Sequence, residues 1–219
     1  MKRLIRRAVR PLLALALGLC AITASGAERE AYNDFYCETC HGAQGIGSFG
    51  VQAPKLAGME PWYLQRQLEK FRAGQRGVHA GDETGVEMRA MAVKLSDSSI
   101  QQLLDWIAGW PATEAPASVA GNVKAGSGLY ASCAACHGAA GEGNRMLGAP
   151  ALAGQSDWYL LTQLKNFSRG YRGQHPDDSE GATMRAAVSA LPDEQAMRDV
   201  VAYIAQLKGP ANSTAQLND

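Results

Sequence analysis

The sequence predicts an all-α protein made of two tandem copies of one helical unit. The chain of 219 residues repeats itself at a constant offset of 96 residues, which indicates a duplicated domain. Within each copy, apolar residues recur at the intervals of amphipathic helices, and no stretch has the strand-rich pattern that a sheet requires. We therefore expect two helical lobes, at residues 28–112 and 121–208.

The repeat is carried by short motifs and by single residues. The motif CETCH at residues 37–41 recurs as CAACH at residues 133–137. Residues 113–120 between the copies are rich in Pro and Ala and predict a linker, and the small, polar residues 209–219 predict a flexible tail. Further matched pairs are Pro54/Pro150, Trp62/Trp158, Tyr63/Tyr159, Gln67/Gln163, Arg76/Arg172, His79/His175, Asp82/Asp178 and Met88/Met184.

Two amphipathic helices are expected in each copy. The earlier helix has an i, i+4, i+7 apolar stripe; it begins at Pro61 in the first copy and is capped by Ser156 in the second. The last helix carries a second stripe. The stripes consist of Leu64, Leu68 and Phe71, of Leu160, Leu164 and Phe167, of Ile100, Leu103, Leu104 and Ile107, and of Met197, Val200, Val201, Ile204 and Leu207.

Composition excludes several classes of protein. The chain is 46% hydrophobic and 19% charged, which fits neither a disordered tail nor a protein with many membrane spans. Its 21 basic residues balance 21 acidic ones, so it lacks the basic excess of a nucleic-acid-binding protein. The length allows one or two domains.

Residues 1–27 have the pattern of a secretory signal peptide. Five basic residues precede an apolar run at 12–22, and small residues end at Ala27, where we expect cleavage. A retained membrane anchor is the alternative, although about 11 apolar residues are only about half of the roughly 20 that a spanning helix needs. Cys20 lies in this run and is expected to leave with it. The mature protein is therefore expected in the periplasm.

The remaining cysteines lie in two Cys-x-x-Cys-His motifs. In an oxidising compartment they could form two disulfides, but this motif is the signature of covalent c-type haem attachment. On a helix, residues i and i+3 share one face, so both thiols can bond the vinyl groups along one haem edge, and the next residue faces the iron. The sequence thus predicts two haem c groups, attached through Cys37 and Cys40 with His41 as iron ligand, and through Cys133 and Cys136 with His137.

Two other uses of the cysteines fit less well. Zinc ribbons separate their Cys pairs by about 15–20 residues, whereas 92 residues separate Cys40 from Cys133, and the His after each pair has no role in a four-Cys zinc site. A thioredoxin-type dithiol would need a βαβ context, which the sequence does not offer.

The repeat also selects a sixth iron ligand. Of the seven methionines, only Met88 and Met184 recur at matched positions, each 47 residues after the His of its motif. A thioether on the far side of a haem stabilises Fe(II) and raises the reduction potential. We therefore expect Met88 and Met184 as axial ligands. The remaining mature-chain methionines, Met59, Met91, Met146 and Met197, are expected to fill the core.

Two other matched pairs have open roles. His79 and His175 could be sixth ligands in place of Met, could make structural hydrogen bonds, or could lie near the haem propionates. Arg76 and Arg172 could each pair with a propionate carboxylate or could simply be solvated.

With these motifs, the chain resembles a two-haem class I cytochrome c of the cytochrome c-four type over about residues 28–208. The paired segments APKLAG and APALAG, the WYL-x-x-QL segments and the Met-Arg segments add to the two haem motifs. The resemblance implies that the carbonyl groups of Pro54 and Pro150 accept hydrogen bonds from His41 and His137. It also implies that Trp62 and Trp158, or their Tyr neighbours, face the propionates, although an aromatic core role fits equally well.

The expected function is electron transfer by outer-sphere exchange, without catalysis, because six-coordinate haems leave no open position for a substrate. The resemblance implies a quinol-oxidising cytochrome complex or a periplasmic dehydrogenase as electron donor and a terminal oxidase as acceptor, with possible association at the membrane surface and no nucleic-acid partner. The alternatives are a dedicated cytochrome subunit of a dehydrogenase complex, and a haem enzyme such as a two-haem peroxidase or a thiosulfate-type dehydrogenase.

Overall fold

The computed structural model describes residues 35–208 as a helical protein. Within that range there are eight α-helices, two short 3₁₀ segments and no β-strand, which confirms the all-α prediction. The predicted signal peptide, with its cleavage site and Cys20, and the predicted tail at 209–219 lie outside the described residues. None of the helices within 35–208 is long and apolar enough to cross a membrane.

The helices repeat in the same order in both lobes. In the first lobe they are α1 (Phe35–His41), α2 (Pro61–Arg72), α3 (Glu83–Ala92) and α4 (Asp97–Ala108). In the second lobe they are α5 (Val123–His137), α6 (Asp157–Ser168), α7 (Ser179–Val188) and α8 (Glu194–Ile204). An isolated β-bridge precedes each proline loop, between Ser48 and Ala53 and between Asn144 and Ala149. The duplication seen in the sequence is therefore a duplication of structure.

Side-chain caps fix where several helices begin. Asp82 accepts a hydrogen bond from the N–H of Gly85 at the start of α3, and Asp178 does the same for Gly181 at the start of α7. Such caps satisfy backbone donors that have no partner inside the helix. Ser156 occupies the N-cap position of α6, but its side chain makes no capping bond. The predicted Ser156 cap is therefore wrong in its chemistry, although the start of the helix is correct.

Each lobe has its own apolar core. The stripes predicted for α2, α4, α6 and α8 point inward, although Leu68, Leu160 and Leu164 are only half-buried. Leu207 was predicted in the last helix, but α8 ends at Ile204, and Leu207 lies after it and is half-buried. The first core consists of Ala57, Leu64, Leu95, Ile100, Leu103, Leu104, Ile107 and Trp110. The second consists of Tyr130, Leu161, Phe167, Val188, Met197, Val200, Val201 and Ile204.

The linker has no regular secondary structure, but it is fixed to the second lobe by Asp157. This carboxylate is 1% exposed and accepts hydrogen bonds from the N–H and hydroxyl of Ser118, the N–H of Val119 and the N–H of Trp158 at 2.6–2.7 Å. Burial alone would raise the pKa of Asp157, but these four donors outweigh it and hold the pKa below its usual value. A buried anion with four donors thus anchors the chain where it enters the second lobe.

Candidate haem sites

Both Cys-x-x-Cys-His motifs lie at the carboxyl ends of equivalent helices, α1 and α5. In both copies the first Cys is half-buried and the second is exposed. His41 and His137, which follow them, are 8% and 6% exposed. The two motifs therefore present the same arrangement of thiols and imidazole, as expected of two equivalent attachment sites.

Each imidazole is oriented by a proline carbonyl. Nδ1 of His41 lies 2.8 Å from the oxygen of Pro54, and Nδ1 of His137 lies 2.8 Å from the oxygen of Pro150. Because a carbonyl only accepts, Nδ1 carries the proton and Nε2 keeps its lone pair for a metal. Burial lowers the pKa of both histidines, and the hydrogen bond to proline only partly opposes this effect. Both side chains are thus neutral imidazoles suited to ligate iron.

A glycine brings the proline loop close to the second imidazole. Gly143 has φ of +82°, its N–H donates to the carbonyl of His137 at 2.8 Å, and a Cβ here would lie 2.5 Å from the nitrogen of Ala151. Only glycine tolerates both the left-handed backbone and this approach. The loop can therefore hold Pro150 against His137.

Met88 and Met184 occupy equivalent positions on α3 and α7, and both are half-buried. Met184 also packs against the core of the second lobe. Their role as sixth ligands stays a prediction. Of the methionines expected in the core, Met197 is buried and Met59 packs against the first core. Met146, however, is 92% exposed, so the core role predicted for it is wrong; it lies in a short 3₁₀ segment on the surface.

Arg76 is buried between the lobes. Its guanidinium donates to Oε1 of Gln67 at 2.9 Å within its own lobe, and to the hydroxyl of Tyr159 and Oε1 of Gln163 in the other lobe, both at 3.1 Å. It also lies over the ring of Phe71 at 4.4 Å. With 6% exposure, Arg76 is not the solvated side chain that was one of its two predicted roles.

Arg172 makes the equivalent contacts from the second lobe to the first. It is 8% exposed and lies 4.5 Å over the ring of Phe167. Its guanidinium donates to Gln163 at 2.8 Å, to the hydroxyl of Tyr63 at 3.0 Å and to Gln67 at 3.0 Å. The tyrosines next to Trp62 and Trp158 thus take part in a polar cluster that joins the lobes.

Neither arginine forms a direct ion pair within residues 35–208, although Asp178 interacts electrostatically with Arg172. Among the described residues, no Asp or Glu forms an ion pair with either one, and Nε of Arg76 is buried without a hydrogen-bond partner. Burying two positive charges together is costly unless an anion compensates them. The carboxylates of two haem propionates would supply the opposite charge that this cluster needs.

The matched histidines have local roles. Nδ1 of His79 accepts from the N–H of Gly81 at 3.0 Å, and Nδ1 of His175 accepts from the N–H of Asp177 at 3.2 Å. His79 also stacks on Tyr171 of the other lobe, with ring centroids 4.2 Å apart. These contacts agree with the structural hydrogen-bonding role among the three that the sequence left open.

Further contacts between the lobes join the matched pair Asp82/Asp178 to Lys70 and Asn166, which differ between the two copies. Lys70 forms an ion pair with Asp178 at 2.5 Å and another with Glu180 at 2.8 Å. At the equivalent place on the other side, the amide of Asn166 donates to Asp82 at 2.9 Å. The offset of 96 residues aligns Lys70 with Asn166, so the two sides of the interface differ in charge.

The proline loops are also tied across the interface. Nζ of Lys55 donates to the carbonyl of Gly154 at 2.9 Å, and the amide of Gln155 donates to the carbonyl of Lys55 at 3.0 Å. The N–H of Ala151 donates to Oε2 of Glu60 at 3.1 Å. Lys55 and Ala151 each directly follow the proline that accepts from a motif histidine, so these contacts link each candidate haem site to the opposite lobe.

Comparison with known proteins agrees with this geometry. A family model described as cytochrome c matches residues 29–110 and 123–208; the limits of the two lobes given above stay predictions. The thiosulfate dehydrogenase electron acceptor of Stutzerimonas stutzeri is 34% identical over 165 residues, which cover 68% of this chain and 71% of that protein. Cytochrome c4 of Azotobacter vinelandii is 30% identical over 185 residues, covering 79% of this chain and 83% of the relative.

A solved structure agrees as well. Cytochrome c4 of Acidithiobacillus ferrooxidans superposes with a TM-score of 0.63 at 27% identity, and the match covers 78% of this chain and 98% of that one. The likeness therefore extends over both lobes rather than over a single motif.

Proposed function

Because the chain belongs to the cytochrome c family, as a two-haem class I member that resembles cytochrome c4, we propose that it carries electrons between periplasmic or membrane-bound redox partners. It has two covalently bound haem c groups, at the motifs Cys37–His41 and Cys133–His137. The observation that carries the proposal is the duplicated site: both imidazoles are buried, neutral and oriented by a proline carbonyl at 2.8 Å.

The residues that would hold each haem are the same in both lobes. Two cysteines would supply the thioethers, and the iron would be held by a histidine together with Met88 or Met184. When bound, each haem contributes a one-electron Fe(III)/Fe(II) couple. The protein would hold its His and Met side chains in place, so that the iron could keep the same ligands in both oxidation states.

The interface between the lobes suits transfer from one haem to the other. Arg76 and Arg172 meet there without an ion pair to any described Asp or Glu, and we infer that they receive propionate carboxylates from both haems. The two redox centres would then approach each other at the interface, and an electron that enters one lobe could leave from the other.

An electron carrier needs one redox partner as donor and another as acceptor. The donor would be a quinol-oxidising cytochrome complex or a periplasmic dehydrogenase, and the acceptor would be a terminal oxidase, with the carrier in the periplasm or at the membrane surface. Electron exchange with these protein partners does not require an open coordination position on either iron, whereas binding of a substrate to the iron would. The protein would therefore act in electron transfer and not as an enzyme.

A reconstituted electron-transfer assay tests this function. Haem-loaded protein is mixed with a small one-electron reductant and with membranes that contain a terminal oxidase, and oxygen consumption is recorded with and without the protein. We expect oxygen consumption to increase in proportion to the concentration of the protein. An unchanged rate would contradict a role as donor to such an oxidase.

A second test separates a carrier from a haem enzyme. Carbon monoxide is added to the fully reduced protein, and the absorption spectrum is compared before and after. Two His/Met haems should leave the spectrum unchanged, because neither iron has an open position. A new carbon monoxide complex at one haem would favour an enzyme such as a peroxidase.

A second candidate is the dedicated electron acceptor of a dehydrogenase that oxidises an inorganic sulfur compound. It is favoured by the similarity to the thiosulfate dehydrogenase electron acceptor of Stutzerimonas stutzeri. Reduction of this protein by thiosulfate in the presence of a purified thiosulfate dehydrogenase, and its absence without that enzyme, would support this candidate. Equal reduction by several unrelated donors would favour a general carrier.

A further inference from the structure

A carboxylate of the first lobe lies one peptide group away from the histidine of the second haem motif. In the peptide between Pro150 and Ala151, the C=O accepts from Nδ1 of His137 at 2.8 Å. The N–H of the same peptide donates to Oε2 of Glu60 at 3.1 Å. A continuous hydrogen-bonded path therefore runs from Glu60, across the lobe interface, to the imidazole of His137.

Glu60 is held at this position by several contacts. It is the N-cap residue of α2 and half-buried. Its Oε1 lies 3.0 Å from where a Cβ of Gly143 would stand, so the carboxylate packs against the same loop that presents Pro150. Burial raises the pKa of Glu60, while hydrogen bonds from the N–H of Ala151, its own N–H and the Trp62 side chain oppose that effect. The neighbouring donors are N–H groups, which are the partners that an anionic carboxylate requires.

At the first haem motif, the position that corresponds to Glu60 carries no carboxylate. The residue equivalent to Glu60 is Ser156, whose side chain makes no capping bond. In the first lobe the contact lies one peptide further along the chain: the C=O of Lys55, in the peptide between Lys55 and Leu56, accepts from the neutral amide of Gln155 at 3.0 Å. Lys55 is itself a cation, 5% exposed. The two proline loops therefore differ in their charged groups: the second has the hydrogen-bonded carboxylate of Glu60, whereas the first has Lys55, which interacts electrostatically with Glu114.

This difference has a direct consequence for the ligand. A peptide whose N–H donates to a carboxylate is polarised, and its carbonyl oxygen becomes a stronger acceptor. A stronger acceptor at Nδ1 makes the imidazole more basic and a better electron donor to the metal at Nε2. A more electron-rich ligand stabilises Fe(III) relative to Fe(II) and so lowers the reduction potential.

Building on the proposed electron-carrier function, we propose that Glu60 is a positioning and tuning residue of the second haem: from the first lobe, it lowers the reduction potential of the iron bound by His137. The potential of the second haem then depends on contact between the lobes. The first haem receives no equivalent effect from the second lobe.

The test is Glu60→Gln in the haem-loaded, full-length protein. This change keeps the length of the side chain and an oxygen acceptor but removes the negative charge. A redox titration followed by NMR resolves the two haems separately, and the signals are assigned to lobes with Met88→Ala and Met184→Ala. We expect the potential of the second haem to shift upward while that of the first stays in place. The ¹⁵N shift of Nδ1 of His137 in the reduced protein should move towards that of His41.

Matched variants make the outcome specific. Glu60→Ser, which copies the residue at the equivalent position of the second lobe, should give the same upward shift. Glu69→Gln changes a half-buried carboxylate on α2. This carboxylate accepts a hydrogen bond from Gln65 of the same helix, and the variant should shift neither potential. Unchanged potentials in both Glu60 variants, or a larger shift at the first haem, would overturn the proposal. If the parent protein itself does not take up two electrons, the electron-carrier function fails instead.

Discussion

Arg172 of the second lobe donates to the hydroxyl of Tyr63 in the first lobe at 3.0 Å, and Arg76 makes the reciprocal bond to Tyr159 at 3.1 Å. The tyrosine hydroxyl of each lobe thus accepts a hydrogen bond from the arginine of the other lobe. The lobes are joined by buried polar groups that repeat about a pseudo-twofold relation. Such a network is stable only when its members are satisfied together.

Tyr63→Phe should weaken this network. The change removes one hydrogen bond to a buried guanidinium and leaves Arg172 its bonds to Gln67 and Gln163, so we expect a loss of about 1 kcal/mol in the free energy of unfolding. Chemical unfolding of the haem-loaded protein measures it. Tyr36→Phe, at a residue 57% exposed, is the control. Equal stabilities of the two variants would argue against an energetic role for the Tyr63 bond.

Asp157→Asn should make the stability of the second lobe less dependent on pH. Because the pKa of Asp157 is lowered in the folded protein, its contribution is present above the ordinary Asp pKa and is lost as pH falls through the lowered value. Near neutral pH the variant should be less stable by about 1–3 kcal/mol, since a buried donor set loses its anion. The difference in free energy of unfolding between the parent protein and the variant should become smaller at acidic pH.

Thermal unfolding across a pH series measures this effect. The matched control is Asp105→Asn, which changes an exposed carboxylate that accepts a hydrogen bond from the amide of Gln101, one turn away on the same helix. A gap between parent and Asp157→Asn that stays constant down to acidic pH would show that the charge of Asp157 is not the cause.

Two methionines provide a matched pair for the packing of the second lobe. Met197 is 6% exposed in the core, whereas Met146 is 92% exposed. Met197→Ala should lower the free energy of unfolding by about 2–5 kcal/mol, because the lost contacts leave a cavity. Met146→Ala should change it by less than about 0.5 kcal/mol. A comparable loss in both variants would contradict the described core.

Met88→Ala and Met184→Ala should each remove one axial thioether. The oxidised protein is expected to show the weak long-wavelength band of Met sulfur bound to ferric haem, and each variant should lose about half of its intensity, since the two haems contribute equally. Met91→Leu, on the same helix as Met88, should leave the band intact. Loss of the band in Met91→Leu would assign the ligand to Met91 instead.

The all-α fold could be predicted from the sequence because the chain repeats itself and because its apolar residues recur at helical intervals. The offset of 96 residues aligns α2 with α6 and α3 with α7. The apolar residues of α4 lie in the first core and those of α8 lie in the second. The capping role of Ser156 failed because the side chain of the next residue, Asp157, accepts from the N–H of Trp158, one of the donors at the start of the helix. Sequence identifies a residue that can cap, but competition between neighbours decides which one accepts.

The haem motifs were equally accessible, but the interface was not. His41 and His137 are identified by adjacent cysteines, whereas Glu60 contacts Ala151 and Lys70 contacts Asp178 across 91 and 108 positions. Contacts between residues so far apart have no characteristic spacing. Lys70 and Glu60 also differ from their equivalents, Asn166 and Ser156, so the repeat gave no signal for them. A search for polar residues that break the repeat on otherwise matched helices would have marked both.

The central claim is that one chain carries two one-electron centres with His/Met ligands. A spectroelectrochemical titration of the haem-loaded protein, which records electrons taken up per chain together with the Met-to-iron band, tests it most directly. The account predicts two electrons per chain, both at positive potentials, with the band present for both haems until each is reduced. Uptake of a single electron, or two electrons at low potentials without the band, would contradict it and would direct attention to His79 and His175 as ligands.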